Sequence, residues 1–182
     1  MENRHTESQR CTECGQSCAP EQLRTIDGLK VCMGCLCGPV EPVQIYPIGV
    51  VVNENKRRVG GFGTTGGDVS TLVLHSGQER FMTGLAEETH LLVVWQFHRQ
   101  RPIRTVFARG WDRKQVGPFA SRTPDRLTPI AVTEVELLEV DGTRLKVRGL
   151  EAVNGTPVLD LKVAIKSLKT NRTNPASAAG NS

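Results

Sequence analysis

Aromatic side chains are scarce: Phe, Trp and Tyr together make up 4% of 182 residues, with two tryptophans and one tyrosine. So few rings exclude a base-stacking sheet of the RNA-recognition-motif type, so any affinity for RNA has to rest on shape and backbone contacts. No apolar run approaches the roughly 20 residues that a membrane-crossing helix needs. The opening MENRHTESQR also lacks the apolar stretch of a secretory leader. The expectation is a cytoplasmic protein with no membrane contact. Cysteine is absent after position 37, yet six cysteines crowd between positions 11 and 37. That distribution is unlike a disulfide framework spread through a secreted fold and fits reduced, metal-binding thiols.

What is present divides into segments. A mass of 19.9 kDa leaves room for one ordinary domain of about 130 residues and a small module. Residues 1–10 read as a flexible start. Residues 11–38 carry Cys11-x-x-Cys14 and Cys32-x-x-Cys35, separated by seventeen residues. This is zinc-ribbon spacing, because each CxxC wraps two thiolates onto one tetrahedral ion. Between them Asp27-Gly28, Leu29 and Val31 suggest a short hairpin. Cys18 and Cys37 fall outside the pattern, and spacing alone leaves their role open. A proline-punctuated linker, residues 39–44, leads to the main domain, residues 45–168. Residues 169–182 read as a disordered basic tail.

The main domain reads as strands. Its first is expected over 45–52. Gly60 to Gly67 contains GxGxxG, but β-branched residues follow where a dinucleotide-binding unit needs a helix, so a flexible hairpin connection is expected instead. Phe81, Met82 and Leu85 stand at helical spacing and predict one amphipathic helix over 78–88. The apolar run Leu91 to Phe97 predicts a strand buried on both faces. Asp141-Gly142 predicts a hairpin between strands 132–140 and 143–148, with Leu145 and Val147 inward. A last strand, 158–165, would turn Leu159, Leu161, Val163 and Ile165 inward. Many short strands with little helix give an all-β fold: a small β-barrel preceded by a small zinc-ribbon module.

Charge is uneven although the formal net is +4. Arg99, Arg101, Arg104, Arg109, Arg113, Lys114, Arg122 and Arg126 share one segment, opposed by Asp112 and Asp125 alone. Such clustering suits either a polyanion or a solvated face.

Two polar phrases, Phe119-Ala120-Ser121-Arg122-Thr123-Pro124-Asp125-Arg126 and Asn154-Gly155-Thr156-Pro157-Val158-Leu159-Asp160, resemble signatures of the TsaA-like tRNA methyltransferases. The resemblance implies a β-barrel enzyme that takes S-adenosylmethionine (SAM). It also implies methylation of N6 of threonylcarbamoyladenosine beside the tRNA anticodon, by a homodimer holding SAM near the subunit interface. It places SAM contacts at His98 and Arg99, at Ser121 and Arg122, at Ala131, and at Asn154, Gly155, Thr156 and Pro157. Arg104, Arg109 and Arg126, with Lys166, Lys169 and Arg172, would meet RNA phosphates. Cys11, Cys14, Cys32 and Cys35 would hold zinc in the added module, which could also recruit a protein partner. Family members commonly read SPHRPNPIG where this chain has Asp125, Leu127, Thr128 and Ala131 as changes. Substrate identity is therefore less fixed than SAM use. The other readings are a SAM methyltransferase of a cofactor or protein, and a non-catalytic binding module on a degenerate barrel. His98 and Asp160 are the groups weighed as a general base, and neither is compelling; no catalytic residue is assigned.

Overall fold

The computed structural model describes residues 8–39, 41–54, 69–99 and 101–164. It begins with the short pair β1 (Gln9–Arg10) and β2 (Ser17–Cys18), then the hairpin β3 (Leu23–Ile26) and β4 (Leu29–Cys32), then the short helix α1 (Met33–Cys37). Asp27 and Gly28 make the β3–β4 turn, both at positive φ, as the sequence predicts. The core of this module is small: Cys11, Leu23, Val31 and Cys32 are buried, with Cys18, Ile26 and Leu36 packed against them.

The remaining strands are β5 (Gly49–Val52), β6 (Val69–Leu74), β7 (His90–Gln96), β8 (Phe107–Ala108), β9 (Gln115–Val116), β10 (Ile130–Asp141), β11 (Arg144–Arg148) and β12 (Pro157–Val163). Six of them close into a barrel in the order β10, β11, β6, β5, β12, β7, with every neighbour antiparallel. The pair β8–β9 lies in the connection between β7 and β10. Closure removes free strand edges, which would otherwise template association. The interior is filled by Val51, Leu72, Leu91, Val93, Val135, Leu145, Val147 and Val158, each at most 1% exposed. Burying each such side chain contributes about 1.5–3 kcal/mol, so this set is the main source of the barrel's stability. Gly49 opens β5 because nothing larger fits: a Cβ there would lie 2.5 Å from the Val73 carbonyl oxygen.

Four expectations need correction. The single helix over 78–88 is two 3-10 segments, Ser76–Phe81 and Leu85–Glu87, because Gly84 between them adopts the left-handed conformation. The first barrel strand starts at Gly49 rather than 45, after the restrictive Pro47. Strand β7 is not buried on both faces: Leu91, Val93 and Trp95 point inward, while Leu92 and Val94 on the outer face are half-buried. On β12 Val158 rather than Leu159 is buried, Leu161 packs against the core as expected, and Val163 is 46% exposed. A register shift between Val158 and Asp160 resets the alternation there. By contrast Leu145 and Val147 point inward as expected, and the β10–β11 pairing brings Asp141 opposite Arg144, moving the turn one residue on. The GxGxxG stretch, Ile165, Lys166, Lys169, Arg172 and the tail lie outside the described residues.

Candidate ligand cleft and thiol cluster

One rim of the barrel carries a mostly apolar cleft of about 30 Å³ lined by Trp95, Phe97, His98, Arg99, Glu151, Val153 and Thr156. Strand β7 delivers Trp95 and the residues that follow it. The loop before β12 delivers Thr156. These two segments meet because β12 pairs with β7 and brings Val158 opposite Trp95. His98 Nδ1 and Thr156 Oγ1 stand 3.4 Å apart, across 58 residues of sequence. Burial, and then the charge of Arg99, push the His98 pKa down and favour the neutral imidazole. Trp95 and Phe97 pack ring on ring, centroids 4.3 Å apart and tilted by 59°, and form the apolar wall.

The loop 153–157 is clipped down on β5. The Gly155 N–H donates to the Val51 carbonyl at 2.8 Å, and the Val51 N–H donates back to the Thr156 carbonyl at 2.9 Å. Asn154 Oδ1 accepts from the Asn53 N–H at 3.1 Å, and Asn53 Nδ2 in turn donates to Ser70 Oγ and the Ala152 carbonyl. Gly155 is required by its φ of 79° rather than by crowding, since an added Cβ would meet nothing within 4 Å. Thr156 is 1% exposed. Hydrogen bonds to Val51 and Asn53 therefore hold the loop beneath the cleft.

Of the residues the resemblance selects, His98, Arg99 and Thr156 line this cleft, and Asn154, Gly155 and Pro157 flank Thr156 on its loop. Ala131 sits opposite Trp95 on β10. Ser121, Arg122 and Arg126 belong to the long connection before β10, which reaches the rim where the Phe97 N–H donates to the Pro129 carbonyl at 2.8 Å. Within that connection Arg126 Nη2 donates to the carbonyls of Pro118 at 2.5 Å and Ser121 at 3.1 Å. Arg109 forms a two-pronged pair with Asp112, donates to the Ala120 carbonyl at 3.0 Å and lies over the Trp111 ring. Arg101 pairs with Asp125 through two hydrogen bonds, at 2.9 and 2.7 Å. Arg104 and Arg122 are exposed. Asp160 does not line the cleft; it borders a separate cavity of about 280 Å³ beneath the 3-10 segments and pairs with Lys162 at 2.6 Å. Glu151, Asn53, Trp95, Phe97 and Val153 escaped the sequence reading. Trp95, Phe97 and Val153 are close in sequence to His98 and Asn154 but carry no polar signature, and Asn53 reaches the 152–154 segment only through the fold.

The four expected thiols converge as the spacing predicts. The Sγ atoms of Cys11, Cys14, Cys32 and Cys35 all lie within 4.8 Å of one another. Cys11 and Cys35 are 3.8 Å apart, as are Cys14 and Cys32. Tetrahedral thiolates at a Zn–S distance of about 2.3 Å sit about 3.8 Å apart, so the cluster has the dimensions of a zinc site. Backbone N–H groups around Cys11, first that of Cys14 and then that of Cys32, hold its pKa down at about 6. Cys18 lies outside the cluster, its thiol donating to the Gln16 carbonyl at 3.7 Å, and Cys37 is exposed.

A closed antiparallel barrel of this form is shared with solved TrmO structures. TrmO from Pseudomonas aeruginosa superposes with a TM-score of 0.57 at 21% identity, over 77% of this chain and 64% of that one. At that identity the likeness defines the fold. The sequence defines the family: residues 63–169 match the tRNA-methyltransferase O N-terminal domain, and the chain belongs to that methyltransferase family. An S-adenosyl-L-methionine-binding protein of Archaeoglobus fulgidus is 34% identical over 65% of this chain and 86% of its own length. A probable S-adenosyl-L-methionine-binding protein of Methanothermobacter thermautotrophicus is 35% identical over 66% of this chain and 88% of its own length. The mouse tRNA (adenine(37)-N6)-methyltransferase is 28% identical over 49% of this chain, which spans 21% of that enzyme. A second, longer Archaeoglobus relative is likewise spanned over 20% of its length.

Proposed function

We propose that this chain is a SAM-dependent methyltransferase acting on N6 of an adenosine beside the tRNA anticodon, with threonylcarbamoyladenosine as acceptor. The observation that carries this reading is the meeting of His98, Arg99 and Thr156 in one cleft, since the same residues answer to the family's SAM contacts. In this reading the Trp95–Phe97 wall faces the cationic sulfonium, an attraction of aromatic faces for cations. Arg99 is suited to the cofactor's carboxylate and Glu151 to its ammonium or ribose hydroxyls. Backbone groups of Asn154, Gly155 and Pro157 serve the adenine. A cleft of about 30 Å³ is far below the roughly 300–1,000 Å³ of enclosing ligand sites. The remaining contacts would come from Ser121, Arg122 and a second subunit. The exposed Phe119 and Val132, 96% and 57% accessible, offer apolar surface for such a homodimer.

Methyl transfer is an in-line displacement, and orientation of the two reactants can supply about 7–11 kcal/mol of the barrier. Neither His98 nor Asp160 is assigned as a base. Arg104 would meet phosphates directly, whereas Arg109 and Arg126, bonded within their own loop, would shape the surface that RNA approaches. Zinc held by Cys11, Cys14, Cys32 and Cys35 would fold the N-terminal module and take no part in the transfer. A cytoplasmic location goes with a tRNA substrate. A different acceptor is the second reading, motivated by Leu127 and Thr128 in the loop that enters β10 and by Ala131 at the start of that strand.

Calorimetric titration with SAM tests the cofactor, using wild type, Thr156→Ala and Arg122→Ala. Saturable binding weakened roughly tenfold by loss of one hydrogen-bonding group is expected, and no binding at millimolar SAM would overturn the reading. Mass analysis of nucleosides from tRNA incubated with enzyme and SAM then separates the acceptors. A methyl gain on threonylcarbamoyladenosine supports the first, and unchanged nucleosides favour the second.

A further inference from the structure

The N-terminal module and the arginine-rich connection 101–126 are joined by a specific set of bonds. Ile26 and Ile103 form a parallel β-bridge. The Ile103 N–H donates to the Thr25 carbonyl at 2.8 Å, and the Ile103 carbonyl accepts from the Asp27 N–H at 2.9 Å. Both backbone groups of Ile103, itself 7% exposed, are thus consumed by the β3–β4 hairpin. Two residues on, the Asp27 carboxylate takes the Thr105 N–H at 3.1 Å and the Thr105 hydroxyl at 2.5 Å. Asp27 reaches both because it occupies the turn at φ 47°, a conformation that Asp and Asn tolerate far better than other side chains.

From Thr105 the contacts continue into the loop that carries Ser121 and Arg122. The returning chain passes close by: a Cβ on Gly117 would stand 3.2 Å from the Thr105 carbonyl oxygen. Arg109, at the end of β8, holds the Ala120 carbonyl, and Arg126 holds those of Pro118 and Ser121. At its other end, the hairpin is fixed by the thiol cluster, because Cys32 closes β4 opposite Leu23. With four buried core residues, this module is too small to hold its shape by packing alone; domains of that size lean on a metal or a disulfide.

We propose that the thiol-bearing module is the positioning device for the loop 101–126, with Asp27 as the positioning residue that fastens the loop to it. Metal at Cys11, Cys14, Cys32 and Cys35 fixes the hairpin. The hairpin then fixes Ile103 and Thr105, and through them the loop that presents Ser121, Arg122 and Arg126 at the barrel rim. The functional half of this statement rests on the SAM reading above; the structural half does not.

Hydrogen exchange on the full zinc-loaded chain separates the two halves. Wild type, Asp27→Ala, Asp27→Asn and Thr105→Val are compared, along with wild type stripped by a chelator. Amides from 103 to 126 should exchange roughly tenfold faster in Asp27→Ala, the equivalent of one charge-assisted hydrogen bond. Asp27→Asn, which keeps the turn conformation and a carbonyl acceptor, should restore most of the protection. Thr105→Val should fall between. Chelation should release the whole segment, while β6 and β11 keep their protection. In parallel, each form is titrated with SAM, and affinity should fall in step with loop exchange. Unchanged exchange in Asp27→Ala and after chelation would overturn the inference whatever SAM does. Faster exchange with wild-type SAM affinity would overturn the positioning role. Failure of zinc-loaded wild type to bind SAM would instead sink the cofactor reading, and the loop's attachment would still be decided by exchange.

Discussion

Gly155 holds φ at 79° with open space around it, whereas Gly49 sits in extended backbone with the Val73 carbonyl 2.5 Å from any added Cβ. The two positions answer to different forces, so alanine should act differently at each. At Gly155 it carries the left-handed penalty, about 1–2 kcal/mol, and Asn should be tolerated better. At Gly49 it forces strands β5 and β6 apart, and overpacking of that kind costs about 1–3 kcal/mol or more. Urea denaturation of both variants checks the order: Gly49→Ala should lose more stability, and Gly155→Ala should be the one relieved by Asn. His98 supplies a prediction in pH. Its folded pKa lies below the unfolded value because burial, then Arg99, disfavour the charged ring. The stability it contributes is complete above the unfolded value of about 6.5 and is lost as pH falls through the lower folded value. The melting temperature of wild type should therefore drop more between about pH 7 and pH 5 than that of His98→Gln, and equal slopes would contradict the assignment.

Among the elements, β8–β9 and the loop behind it depend on the pair Arg109–Asp112. Hydrogen bonding from Arg109 holds the Asp112 carboxyl at about 2, below the unfolded value near 3.9. The pair's contribution is present above that unfolded value and disappears as pH falls from about 4 towards 2. Trp111 lies against the Arg109 guanidinium at 4.3 Å, so its fluorescence should change across that window in wild type and be flat in Asp112→Asn. The same scale explains what could be read from the chain in advance. Leu145 and Val147 were legible because a barrel interior takes every second residue of a regular strand. Leu159 misled because a bulge two residues into β12 shifts the phase, and a bulge leaves no signature in hydrophobic alternation. The helical spacing of Phe81, Met82 and Leu85 was genuine as a pattern, yet Gly84 in the left-handed conformation divides it into two short turns. At the cleft, His98 and Thr156 were found through motif resemblance. Glu151 and Asn53 could not be, because only the fold brings their segments to the end of β7 and the 153–157 loop. Asp27 was recognised as a turn residue, while its grip on Thr105 spans 78 positions.

Among the described residues there are two cores of very different size: four buried residues around the thiols and twelve in the barrel. They should respond separately to loss of a metal ligand. Purified protein is expected to carry about one zinc per chain. Cys11→Ser should lose the metal and the order of the N-terminal module, while the barrel still melts cooperatively. Elemental analysis and calorimetry of the variant test this together, and collapse of the barrel transition in Cys11→Ser would show that the two cores are one.

The barrel wall is not equally strong all round. Strands β7 and β10 face each other over seven residue pairs, but β5 and β12 meet over two, Pro157 with Val50 and Val158 with Gly49. That short seam adjoins the loop whose Gly155 and Thr156 clasp Val51, so the cleft is built on the place where the barrel would first come unbuttoned. A ligand reaching from His98 at the end of β7 to the 153–157 loop would tie β7 to the loop that clasps β5. Its binding energy would appear twice, as affinity and as a raised melting temperature for the barrel.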